Sequence, residues 1–118
     1  MISMVLWLFI VLLLSVLPIK GVEGRYPTDK VIHFVMYGIT AIVFLRNLRS
    51  KASIVKSGIL SVILASLVGF AMEIIQSALP WREFSFSDEL ANVSGAVFFT
   101  VLYVLRDFYG KRSNQRIP

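Results

Sequence analysis

Four long apolar segments, separated by short polar ones, limit what this chain can fold into more than any other feature. The helices predicted from them cover roughly residues 2–18, 30–46, 53–79 and 87–106, followed by a polar tail at 107–118. A spanning helix needs about 20 apolar residues, and 118 residues that are 57% hydrophobic cannot hide four such segments in a soluble core. The sequence therefore predicts an all-α polytopic membrane protein, a four-transmembrane-helix bundle formed by a single domain over residues 1–118.

The first segment, from Met1 to Pro18, contains no charged side chain and fits two interpretations. A secretory signal peptide would have a basic region before the apolar run and a small-x-small cleavage site after it, and neither pattern is found. We therefore expect a first helix that is retained in the membrane.

Lysine and arginine are unevenly distributed between the two ends of the predicted bundle. Eight of the 12 lie on the side that holds both termini and the loop between the second and third helices. Basic residues favour the cytoplasmic side of a membrane. We therefore expect a multi-pass protein of the bacterial cytoplasmic membrane with both termini in the cytoplasm. The same distribution explains the net charge of +5 without a nucleic-acid partner.

Polar and small residues recur within the apolar segments at spacings of three and four, which places each group on one helical face. The groups are Asp29, His33, Tyr37 and Thr40 in the second helix, Ser66, Gly69, Glu73 and Gln76 in the third, and Asp88, Asn92 and Gly95 in the fourth. Small residues let helices approach closely in lipid. We expect the three faces to meet inside the bundle.

Three of these residues are predicted to lie at one depth. His33, Glu73 and Asn92 fall about five to seven residues inside the same membrane boundary, roughly 7–10 Å at 1.5 Å per residue. An ionisable group at that depth is costly unless it is paired or hydrated, and by default it indicates a functional site. The expected partner of Glu73 is His33, followed by Arg82.

Simpler explanations stay open at this stage. Glu73 and His33 could be a hydrogen-bonded pair that only holds the helices together. Asp88 could be only the N3 residue of a capping box whose N-cap is Ser85. Arg82 could anchor the chain at the membrane interface.

Composition and motifs also limit the chemistry. The chain has no cysteine and one histidine, which excludes disulfides, thiolate metal sites and a histidine-rich metal site within one chain. It has no GxSxG elbow, no HExxH and no P-loop. We expect no metal ligands and no cofactor. Catalysis is undecided, with His33, Glu73 and Asp88 as the candidate catalytic residues.

The spacing of the polar residues resembles the signature of the VanZ-like family of small integral membrane proteins. The two matching stretches are Asp29-Lys30-x-x-His33-Phe34-x-x-Tyr37 and Glu73-x-x-Gln76-x-x-x-Pro80-x-Arg82-x-x-Ser85-x-x-Asp88-x-x-x-Asn92-x-x-Gly95. The resemblance implies a four-helix membrane protein, and the family is named for a member associated with low-level resistance to the glycopeptide teicoplanin. The ligand-binding residues that it implies are Asp29, Lys30, His33, Tyr37, Glu73, Gln76, Arg82, Ser85, Asp88 and Asn92.

Three functional hypotheses follow. The first is an outward-facing site that binds or remodels a lipid-linked or cell-wall-related ligand, with Lys30 and Arg82 on an anionic head group. The second is an enzyme that uses His33 and Glu73 as an acid and base pair on a lipid-linked substrate, with Asp88 orienting or binding a divalent ion. The third is a structural or assembly partner without a ligand. Membrane lipids are expected partners in all three.

Overall fold

The computed structural model describes residues 2–16, 27–80 and 84–115, and these residues form four helices without a strand. The helices are α1 (Ile2–Val16), α2 (Pro27–Leu48), α3 (Ile54–Ser77) and α4 (Phe86–Gln115). The predicted all-α bundle is confirmed.

Three of the four helices are long and apolar enough to cross a membrane. These candidate spans are Lys30–Leu48, Ile54–Ser77 and Phe86–Arg112. The described part of α1 has 15 residues, about 22 Å at 1.5 Å per residue, which is shorter than the roughly 30 Å of a hydrocarbon core. The described residues of α1 are therefore too few to form the expected fourth span. Residues 17–18 of the predicted helix lie outside the described residues. The chain is a membrane protein with at least three candidate spans.

Two helix ends differ from the sequence prediction by three residues or more. Helix α2 begins at Pro27 rather than near Lys30, because proline is well suited to the first turn, where no backbone N–H is needed. Helix α4 continues to Gln115 rather than ending near Arg106. Residues 107–115 are mostly polar but helical, and the Lys111 ammonium lies 3.3 Å from the Asp107 carboxylate one turn away. Loss of the apolar pattern near Arg106 therefore did not mark the end of the helix.

Small and polar residues fill the interior of the bundle, and apolar residues cover its outer surface. The buried residues of α3 are Ser57, Gly58, Ser61, Ala65, Gly69, Glu73 and Gln76. Large aliphatic side chains such as Val5, Ile59 and Leu67 are instead more than half exposed. A soluble protein does not expose so much apolar surface. This distribution of residues is the one expected for a protein that is surrounded by lipid.

Among the described residues, two hydrogen bonds between side chains or from a side chain to the backbone connect helix α1 to the other helices. The Trp7 indole donates to the Thr40 hydroxyl of α2 at 2.8 Å, and the Gln76 amide of α3 donates to the Ser15 carbonyl at 3.0 Å. In an apolar solvent such polar contacts substitute for the hydrophobic driving force that is missing between helices.

Helices α2 and α4 approach each other closely at Gly95. A Cβ atom added to Gly95 would lie 1.9 Å from the carbonyl oxygen of Phe34. That oxygen belongs to the helix backbone and cannot rotate away, so only glycine allows this approach. Gly110, further along the same helix, has nothing within 4 Å of the corresponding position.

We expect Gly95→Ala to destabilise the bundle by about 1–3 kcal/mol or more, because the two helices must move apart. Gly110→Ala is the matched control and should be neutral or stabilise by up to about 1 kcal/mol through helix propensity. Thermal unfolding of both variants in detergent micelles measures the difference. Equal unfolding midpoints would contradict the close packing of α2 on α4.

Candidate functional site

Three helices bring ionisable side chains together at the end of the bundle where α2 and α4 begin and α3 ends. One ligand-type atom each from His33, Glu73 and Asp88 lies within 4.8 Å of the others. The three residues are only 4%, 1% and 1% exposed. Together with Lys30 and Asn92 they form what we call the polar cluster. His33, Glu73 and Asn92, which the sequence placed at one depth, do lie together.

Asp88 is the centre of charge in the polar cluster. Its carboxylate accepts a hydrogen bond from the Lys30 ammonium, and its second oxygen lies 3.7 Å from His33 Nε2. The Lys30 side chain is 32% exposed, whereas that of Asp88 is 1% exposed. Lys30 therefore links the buried carboxylate to the outside of the bundle.

The orientation of His33 is set by a chain of two hydrogen bonds. The Asn92 amide nitrogen donates to Glu89 Oε2 at 3.1 Å. This contact orients Asn92 Oδ1 towards His33 Nδ1, 2.8 Å away. Since Asn92 Oδ1 can only accept, Nδ1 carries the hydrogen. The Tyr37 ring lies nearly parallel to the imidazole, with centroids 6.2 Å apart. His33 Nε2 is thereby held facing Asp88.

Glu73 of α3 accepts a hydrogen bond that, in a capping box, an acidic residue of α4 itself would accept. Ser85 precedes α4, and its hydroxyl accepts from the Asp88 backbone N–H at 3.2 Å. In a complete capping box the acid three residues later would accept from the Ser85 N–H. Here that N–H donates to Glu73 Oε2 of α3 at 3.1 Å. The Asp88 side chain is directed instead to Lys30 and His33.

Gly69 makes room for the polar cluster. A Cβ atom at Gly69 would lie 2.7 Å from the Asn92 amide nitrogen. Packing was the expected role of this glycine, and the partner that it accommodates is a cluster residue. Glu89, which orients Asn92, was missed from the sequence. Its position three residues before Asn92 on the same helix was the signal that could have identified it.

The other predicted site residues divide into three groups. Ser85 caps α4, and Gln76 ties α3 to Ser15 of α1 rather than entering the polar cluster through a described contact. Tyr37 is buried against His33. The Asp29 side chain and Arg82 lie outside the described residues.

His33, Glu73 and Asp88 are also the residues that could hold a metal ion, since imidazole and carboxylate donors suit divalent transition metals. The Lys30 ammonium already occupies one side of the Asp88 carboxylate. A divalent ion would have to approach this cation closely. The sequence-based expectation of a metal-free site stays a prediction.

The arrangement places more charge inside the bundle than a structural pair requires. Buried ionisable groups cost several kcal/mol each unless they are matched by good geometry, and in membranes they usually mark binding or proton-transfer sites. The described residues thus define a class: a helical membrane protein with a charged site buried at one end of its bundle.

Comparison with known families supports this class. A family model described as VanZ/LLP1 matches residues 2–107, and the chain belongs to this family. Comparisons with curated proteins and with solved structures gave no match.

We expect Lys30→Met to destabilise the protein by about 1–3 kcal/mol, because it removes the ammonium from a buried carboxylate. Adding Asp88→Asn should recover part of this loss, with a coupling of about 0.5–3 kcal/mol. Unfolding in micelles of the single and double variants measures the coupling, and Lys56→Met on the exposed surface of α3 is the control. Strictly additive effects would mean that the two side chains do not interact.

We also expect EDTA to leave the unfolding midpoint of the purified protein unchanged, because Lys30 compensates Asp88 without a metal. The measurement is a thermal scan before and after chelation and readdition of Zn²⁺ or Mn²⁺. A lower midpoint after chelation that Asp88→Asn abolishes would show that a metal is bound.

Proposed function

We propose that this protein binds a lipid-linked or cell-envelope ligand through the polar cluster. The observation that carries the proposal is the meeting of His33, Glu73 and Asp88, one from each of three helices, in a nearly solvent-free interior. A purely structural contact would need one acid and one base. Two carboxylates, an imidazole, an amide and an ammonium provide the varied donors and acceptors that a polar head group requires.

The ligand that fits this set has an anionic part and a hydroxyl-rich part. Lys30 lies at the accessible side of the polar cluster and can contact phosphate, and Arg82 is expected from the sequence to do the same. Carboxylates and an amide are suited to sugar hydroxyls, which are both donors and acceptors. A polyprenyl diphosphate that carries a sugar combines both chemistries with an apolar chain for the lipid-facing surface.

The orientation of the site is part of the proposal. The excess of lysine and arginine at the opposite end favours a cytoplasmic location for that end and for both termini. The polar cluster would then face the outer leaflet of a bacterial cytoplasmic membrane. Binding of an envelope precursor there would alter how a glycopeptide such as teicoplanin reaches its target, the phenotype that the family name suggests.

The test uses the full chain in phosphatidylcholine nanodiscs and, as probe, a polyprenyl diphosphate that carries an N-acetylhexosamine. We expect binding of the probe but not of the bare polyprenyl alcohol. Lys30→Gln should weaken binding about tenfold, the loss of one charge-assisted contact. Arg82→Gln is expected to act in the same direction.

Lys56→Gln is the matched control, since it removes the same charge from the exposed surface of α3. Binding that does not distinguish the probe from the alcohol would overturn the proposal, as would equal losses in Lys30→Gln and Lys56→Gln.

An enzyme is the second candidate, favoured by the fixed orientation of His33. With Nδ1 donating to Asn92, Nε2 is the nitrogen that can accept a proton, as a general base requires, and it lies 3.7 Å from the Asp88 carboxylate. Turnover of the same probe by the wild type, lost in His33→Gln but with binding retained, would select this candidate. Binding without turnover would select the first.

A further inference from the structure

The end of the bundle away from the polar cluster contains a second charged surface. An open cavity of about 650 Å³ lies between the end of α2 and the last turns of α4. Four cationic side chains and one carboxylate line it: Arg46, Arg49, Arg106, Lys111 and Asp107. We call this the arginine cavity.

Only part of this positive charge is neutralised within the protein. Asp107 accepts from the Arg49 guanidinium and lies 3.3 Å from the Lys111 ammonium. Arg49 also donates to the Tyr103 hydroxyl at 3.3 Å. In the part of the chain that the structure describes, Arg46 and Arg106 make no hydrogen bond or ion pair through their side chains. Two guanidinium groups are therefore available on opposite walls, one from each helix.

The arginine cavity lies at the depth of lipid head groups. The candidate span of α4 has 27 residues, about 40 Å, whereas a hydrocarbon core is roughly 30 Å thick. A helix that enters the hydrocarbon core at Phe86 crosses it in about 20 residues and leaves it near Leu105. Arg106 and Lys111 therefore lie beyond the hydrocarbon core. Arg46 is in the last turn of α2. Ile42 and Tyr103 line the same cavity closer to the membrane centre, next to where acyl chains begin.

We propose that the arginine cavity binds the phosphodiester head group of an anionic phospholipid. Guanidinium groups bind phosphate oxygens through two parallel hydrogen bonds. Basic cavities between membrane helices on the cytoplasmic side are typical sites for anionic lipids. Arg49 and Asp107 join the loop after α2 to α4 and keep the two walls together. The site is separate from the polar cluster and does not depend on the function proposed for it.

The test compares the Arg46→Gln/Arg106→Gln double variant with a Lys51→Gln/Lys56→Gln double variant. Both remove two positive charges, and Lys51 and Lys56 are exposed residues near the same end that do not line the cavity. Native mass spectrometry of the full chain measures binding of phosphatidylglycerol, with phosphatidylcholine and soluble glycerol phosphate as the other arms.

We expect the wild type and the lysine variant to prefer phosphatidylglycerol to phosphatidylcholine, and the arginine variant to bind it about tenfold more weakly. Arg46→Lys, which keeps the charge but loses the planar fork, should fall between them. Binding of the sugar-carrying polyprenyl diphosphate should be unchanged in the arginine variant.

Three outcomes would overturn the proposal. One is equal loss in both double variants, which would indicate general electrostatic attraction. Another is no preference for phosphatidylglycerol in the wild type. The third is equally strong binding of glycerol phosphate, which would assign the cavity to a soluble anion. Unfolding midpoints in phosphatidylcholine verify that each variant is folded.

Discussion

The buried Asp88 carboxylate determines how the helices at its end of the bundle pack. A carboxylate that is 1% exposed, in a bundle whose outer surface is apolar, is stable only if the protein supplies its solvation. Lys30 supplies an ammonium from α2, and His33 supplies an imidazole from one turn further along the same helix. These contacts fix the rotation of α2 against α4.

Several features of the neighbouring residues follow from this requirement. Glu73 accepts the hydrogen bond from the Ser85 N–H, a role that Asp88 would have in a complete capping box. The start of α4 is therefore capped by a side chain from another helix. Gly69 gives space to Asn92, and Gly95 lets the α4 backbone touch that of α2. Each of these adjustments brings three helices closer to one point. The same residues therefore serve both packing and the site, which is why a purely structural explanation and a functional one share so many positions.

The sequence predicted the parts of the fold that depend on periodicity. The apolar segments predicted the helices, and the spacing of three and four placed His33, Glu73 and Asn92 on inward faces. It did not predict the exchange of capping partners between Glu73 and Asp88, because a capping box is a local pattern and the exchange needs a contact between helices. The helical residues beyond Arg106 were also missed, since the mostly polar composition from Asp107 onward lacks the apolar periodicity that predicted the other helices. The spacing of three could have identified Glu89 as a neighbour of Asn92, but its role in orienting the Asn92 amide depends on a side-chain contact that spacing alone does not determine.

In a bilayer, we expect His33 to face Asn92 and Asp88 inside the bundle. The chain has one histidine, so ¹⁵N-histidine labels a single residue, and ¹³C can be placed at the side-chain carboxyl and amide carbons of Asp and Asn. Solid-state NMR in lipid bilayers should then detect weak but measurable dipolar couplings from both ring nitrogens to side-chain carbons, with the Nδ1 coupling lost in Asn92→Leu. This arrangement would be contradicted if the imidazole nitrogens showed no coupling to these carbons and contacted lipid acyl chains instead.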